Sequence, residues 1–206
     1  MSQHRHMTGR ALSLLAAAIA VAAATAPSAV GAQAAGGQAG TSRAVIDSQS
    51  AAYLREQYLA DLDTVHVKLM ALAQAIPEDK YAWRPADSVR SISEVLMHVA
   101  GEWYYWAPMS VAAQAPADFG RPREALPRLE RQYTRKADVI DQLNKAWAHC
   151  RSQIAGVDAT RLTGSYQPWG VTLPQAAFAM SGDLHEHLGQ LIAYARSVGV
   201  KPPWSK

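Results

Sequence analysis

Four stretches of the chain repeat apolar residues at steps of three and four, the period of one buried stripe along an α-helix. Over 48–76 the stripe is Leu54, Tyr58, Leu62, Val65, Leu69, Leu72 and Ile76, and Pro77 stops it. The loop EDKYAWRPADSVR follows; Ser91 or Ser88 suits an N-cap, and Glu94, three residues after Ser91, has the spacing of a capping box. The second stretch, about 91–106, carries Ile92, Val95, Leu96, Val99, Trp103 and Trp106. Its exit, APMSVAAQAPADFGRPRE, holds Pro108, Pro116, Gly120 and Pro122 and is too long for a tight helical hairpin. The third stripe runs through Leu126, Leu129, Tyr133, Ile140, Leu143, Trp147, Cys150, Ile154 and Val157, weakened only at Lys136 and Ala137. After the Gly/Pro-broken GVDATRLTGSYQPWGVT, the fourth stretch (about 172–198) repeats Leu173, Ala177, Met180, Leu184, Leu188, Leu191 and Val198. Gly199 closes it and Pro202-Pro203 forbids a restart. No segment alternates with the period of a strand. The pattern predicts an all-α fold, a four-helix bundle with a long crossover between helices 2 and 3.

The N-terminus follows a different rule. Arg5 and Arg10 precede the uncharged run ALSLLAAAIAVAAATA (11–26), and the small-residue stretch PSAVGAQAAGG comes next. This is the three-part pattern of a secretory signal peptide. The run, about 16 residues, is short for a membrane span. The domain reading is therefore a secretory signal peptide over 1–34, a flexible leader over 35–47 and the bundle domain over 48–206. Cleavage is expected to leave a mature N-terminus between Gln33 and Gly37, on a protein that is secreted or periplasmic.

Composition narrows the function classes. A chain that is 49% hydrophobic and 18% charged has enough apolar material for a globular core. The net charge of +3, without a dense Lys/Arg run, argues against a nucleic-acid surface. The single cysteine, Cys150, falls on an apolar stripe and reads as a buried, inert thiol.

Polar residues interrupt two of the stripes. His98 stands among Val95, Val99 and Trp103, and Glu102 follows four positions later. Asp183 and His187 bear the same relation beside Met180, Leu184 and Leu191. Residues at i and i+4 share a helix face, whereas His185 is turned roughly 200° from either member of its pair. Two helices that each offer an acid–imidazole pair suit a Zn²⁺, Ni²⁺, Mn²⁺ or Fe²⁺ site. An ordinary polar seam uses the same residue types, and His66 on the first helix reads as a boundary histidine. An inward-facing Asp183 would need a metal or a histidine proton to balance its charge. The aromatic run Trp103, Tyr104, Tyr105 and Trp106 reads as packing, while Trp169 and Trp204 lie in loops where a pocket mouth would open.

The segments RPADSVRSISEVLMHVAGEWYYW and DLHEHLGQLIAYARSVGVKPPWS resemble the DinB-like superfamily, over about residues 48–205. The resemblance implies a four-helix bundle, in many members with a divalent metal. One ligand then comes from the second helix and two, spaced i, i+4 ahead of a Gly-Gln pair, from the fourth. Carried over residue by residue, His98 takes the first place and His187 the last, with Asp183 standing where the family pattern has histidine. That gives a metal set of His98, Asp183 and His187, a two-histidine, one-carboxylate site with open positions. Glu102 is then either a fourth ligand or, beside an open position, the catalytic general base. The implied function is metal-dependent hydrolase or thiol-transferase chemistry, with a non-catalytic metal- or ligand-binding structural bundle as the alternative. The expected partners are an unidentified small-molecule substrate and a second copy as a homodimer, with no nucleic acid and, after signal cleavage, no membrane.

Overall fold

A computed structural model describes residues 45–166 and 171–205 of the chain. The signal-peptide reading (1–34), most of the leader and Trp169 lie outside the described residues. Helix α1 spans Ser48–Ala75, and its Asp47 N-cap accepts from the Ser50 amide at 2.8 Å, satisfying one of the free N–H groups of the first turn. The capping box at the next helix forms as the spacing predicts. Ser91 Oγ accepts from the Glu94 amide at 3.3 Å, and the Ser91 amide donates to Glu94 Oε2 at 2.7 Å. Helix α2, Ile92–Gly101, then runs without a break into a π-helical turn over Glu102–Trp106 and a last short turn, α3, over Ala107–Met109.

The third stripe does not fold as one helix. It divides into α4 (Pro122–Gln132) and α5 (Lys136–Ala155), with Tyr133 extended at φ −113° and ψ 105°. The weak step at Lys136 marks the break, and the reason is a tertiary contact. The Lys136 ammonium donates to the carbonyls of Gln74 (2.6 Å) and Ile76 (2.8 Å), the unsatisfied end of α1. The start of α5 is thereby pinned to α1, while α4 remains free to follow α2.

After a two-stranded hairpin, β1 (Ser165–Tyr166) paired antiparallel with β2 (Val171–Thr172), helix α6 covers Leu173–Ser197. Gly199 follows at φ +80°, a conformation open to glycine at little cost. Helix α1 packs against α5 and α6, and α2 packs against the same two, so these four close a ring. Leu62, Leu69, Leu96, Trp103, Leu143 and Leu184 fill its interior, each fully buried. Helix α4 lies outside the ring against α2. The protein is thus an all-α bundle with its long crossover after the second helix. Cys150 is free and buried, and burial pushes its thiol far above the usual range, so it is not a nucleophile at neutral pH. Among the described residues no helix is long and apolar enough to cross a membrane.

Candidate metal centre

Two imidazoles and one carboxylate meet where α2 faces α6. His98 Nε2 and His187 Nε2 each lie 3.3 Å from the same oxygen, Glu102 Oε1. The two rings stand edge to face with centroids 4.8 Å apart. One donor atom from each of the three residues falls within 4.8 Å of the others. Glu102 is the most enclosed of them, its side chain only 2% exposed against 18% for His98 and 14% for His187. It sits at the junction of α2 with the π-helical turn, which closes with the Ala107 amide donating to the Glu102 carbonyl. Such turns are frequent at functional sites.

The outer nitrogen of each ring is tied down. His98 Nδ1 is 2.7 Å from Glu130 Oε1 on α4, and His187 Nδ1 is 3.3 Å from Gln190 Oε1 one turn along α6. Glu130 also accepts from Arg90 Nε at 3.2 Å, and Gln190 donates to the Tyr194 hydroxyl at 3.0 Å. With both Nδ1 atoms facing acceptors, each ring keeps a proton there, so that once the proton shared between Nε2 and Glu102 leaves, the Nε2 lone pair faces the centre, the tautomer a metal ligand needs.

The electrostatics follow from this enclosure. Burial alone would raise the Glu102 carboxyl, but His187 and His98 beside it more than reverse that and hold it down to about 2. Burial opposes charge on His98, and its Glu102 and Glu130 partners overcome it, raising the ring to about 9. His187 is raised too, with burial opposing and Glu102 prevailing. Glu102 Oε2 is buried and has no hydrogen-bond partner among the described residues. A buried carboxylate oxygen without a partner costs free energy that a cation would recover. The donor set, two imidazole nitrogens and a carboxylate with one oxygen unclaimed, therefore fits a divalent transition metal.

Asp183, expected as the third ligand, is exposed by area and lies beside Glu102 at the edge of a cavity of about 460 Å³. That cavity is also lined by His98, Glu102, Trp106, Met180, Ala176 and Ala179. Burial of the carboxyl group itself, hydrogen bonding to Glu102 and the adjacent Glu102 charge raise Asp183 to about 6. Three side chains thus converge as donors, and the carboxylate among them is Glu102. His185 points elsewhere: its Nε2 is 2.9 Å from Asp61 Oδ1 on α1. His66 stacks on Trp147 at 4.6 Å and meets Trp103 edge-on at 5.5 Å, so its ring contacts are aromatic. Trp106 packs against the core as expected and also lines the cavity, and Trp204 is 40% exposed. Sequence reasoning missed Glu130. Its one signal was a carboxylate directly after the Leu126–Leu129 stripe, which any solvated helix face would also show.

A family model described as the DinB superfamily matches residues 61–191, a span that includes His98, Glu102, Glu130, Asp183 and His187. No curated protein matches the chain.

Proposed function

The chain belongs to the DinB superfamily, and from that premise we propose that it binds a divalent metal ion at His98, Glu102 and His187 and works on a small molecule in the adjoining cavity, by hydrolase or thiol-transferase chemistry. One observation carries the reading: two histidines on different helices turn their Nε2 atoms onto one buried carboxylate oxygen while their Nδ1 atoms are held from behind. An ion held there would act as a Lewis acid, making water or a thiol nucleophilic at neutral pH. The chain's own residues supply the rest. Glu102 serves as a ligand, since one of its oxygens lies 3.3 Å from both ring nitrogens and its side chain is almost wholly enclosed between them. Asp183 stands on the cavity side of Glu102, where it can hold or release a proton facing the reacting molecule. Trp106, Ala176, Ala179 and Met180 form an apolar wall along this open groove and receive an apolar part of the substrate.

The test is elemental analysis of the 206-residue chain, purified without a histidine tag and dialysed. A stoichiometric divalent ion is expected in the wild-type protein and little or none in His98→Ala, His187→Ala or Glu102→Ala. A wild-type protein that neither carries nor takes up Zn²⁺, Ni²⁺, Mn²⁺ or Fe²⁺ rejects the proposal.

A further inference from the structure

Glu130 stands outside the four-helix ring, on the crossover helix α4, yet it touches the centre. Its Oε1 is 2.7 Å from His98 Nδ1, and its side chain is only 16% exposed. Leu126 and Glu130, four residues apart on α4, share one face. Opposite them on α2 lie Gly101 and His98, with Leu126 seated on Gly101 and Glu130 on His98. The missing Cβ at Gly101 is what lets Leu126 come this close: a methyl there would sit 2.2 Å from Leu126 Cδ2. Close seating of α4 is therefore built into the sequence, and it delivers a carboxylate to the back of one imidazole. The other imidazole receives only the neutral amide of Gln190, at 3.3 Å.

We propose that Glu130 is a positioning residue of the metal centre, fixing His98 as the tautomer whose Nε2 ligates and making His98 the stronger nitrogen donor of the pair. The inference rests on the proposed metal binding. Its physical basis is that a carboxylate accepting a ring N–H forms a charge-assisted bond that orients the ring and raises its basicity toward a metal on the far nitrogen. The crossover helix then contributes to metal affinity as well as to covering α2. The competing account is that Glu130 merely docks α4 through its ion pair with Arg90 at 3.2 Å. Arg90→Ala separates the two, because it breaks that pair and leaves the bond to His98 in place.

Zinc chloride is titrated into the metal-stripped 206-residue chain against a chromophoric chelator, for wild type, Glu130→Gln, Glu130→Ala and Arg90→Ala. Removal of an outer partner of a ligating histidine typically weakens metal binding by about 10- to 100-fold. Glu130→Ala is expected in that range, and Glu130→Gln, which keeps an acceptor without the charge, near its lower end. Arg90→Ala should stay within about twofold of wild type, as an exposed ion pair is worth little. Proton NMR should show a strongly downfield His98 Nδ1–H resonance in wild type and Arg90→Ala that is lost in Glu130→Ala. Unchanged zinc affinity in both Glu130 variants overturns the inference and leaves the metal site standing. So does an Arg90→Ala loss as large as that of Glu130→Ala, which would make the role one of helix docking. A wild-type chain that binds no zinc or other divalent ion removes the metal reading and this inference together. If Glu130→Ala does not fold, Glu130→Gln decides by the same criteria.

Discussion

At the scale of single residues, the carboxylate that reaches both imidazoles is Glu102, although the family pattern puts Asp183 forward. Helical spacing fixes which residues share a face, and it grouped His98 with Glu102 and Asp183 with His187 while turning His185 away. Depth along that face is another matter. Glu102 is 2% exposed between the two rings, whereas Asp183 stands exposed on the cavity edge. A variant series tests this order. Glu102→Gln should lower zinc affinity by about 100-fold or more, because it removes a ligand charge from a buried site, and Asp183→Asn by less than about 10-fold, below the range for a partner hydrogen-bonded to a ligating histidine, because Asp183 borders Glu102 and not a ring nitrogen. His185→Ala should leave affinity unchanged, since its partner is Asp61 on α1. The measurement is zinc competition across the three variants. An Asp183→Asn loss equal to that of Glu102→Gln would make Asp183 a ligand, as the family pattern implies. Glu130 was beyond reach of any such rule: it lies 32 positions from His98, and only the path of α4 brings the two together.

At the scale of elements, the apolar stripes located all four long helices, and Ser91 with Glu94 marked the start of α2 to the residue. Two features escaped them. The third stripe keeps its period across Tyr133, so periodicity alone joins α4 to α5; the break comes from Lys136 capping α1, which is a tertiary fact. The π-helical turn over Glu102–Trp106 has no signal in the apolar pattern and turns Trp106 onto the cavity. The seat of α4 on α2 invites a measurement. Replacing Gly101 with alanine adds up to about 1 kcal/mol of helix propensity, but the methyl would meet Leu126 Cδ2 at 2.2 Å. Overpacking of this kind costs about 1–3 kcal/mol. Gly101→Ala is therefore expected to lower stability by about 1 kcal/mol net in urea unfolding, the terminal Leu126 methyl yielding part of the way. Adding Leu126→Ala should recover some of that loss, a non-additivity diagnostic of contact. A Gly101→Ala protein more stable than wild type would mean that α4 is not seated there.

At the scale of the whole molecule, the centre couples folding to protons and, on the proposed reading, to a metal. Around His98 stand Glu102 on its own helix, Glu130 on α4, His187 on α6 and, beyond Glu130, Arg90; Asp183 on α6 borders Glu102. The His98 ring is raised from 6.5 to about 9 in the folded protein. Its stabilisation is therefore complete below pH 6.5 and lost as pH climbs through about 9, because only the folded state still holds the proton in that window. His187, also raised, acts in the same direction. Glu102, lowered from 4.5 to about 2, contributes stability above pH 4.5 that disappears as pH falls toward 2. Asp183, raised from 3.8 to about 6, erodes stability between those values as it ionises beside Glu102. The metal-free protein should accordingly be most stable near pH 4.5, decline as Asp183 ionises, and lose on the order of a further 2 kcal/mol between pH 6.5 and pH 8.5 from the His98 proton alone. A bound divalent ion takes the place of that proton between the ring nitrogens and the carboxylate, so its stabilising effect must grow as pH rises. Melting temperatures with and without zinc chloride, from pH 5 to pH 8, should diverge: nearly equal at pH 5, with the metal-loaded protein clearly ahead at pH 8. A zinc increment that is flat across this range would mean that the ion binds away from the imidazoles, and metal-free stability that rises toward pH 8 would mean that His98 is not held protonated by its two carboxylates.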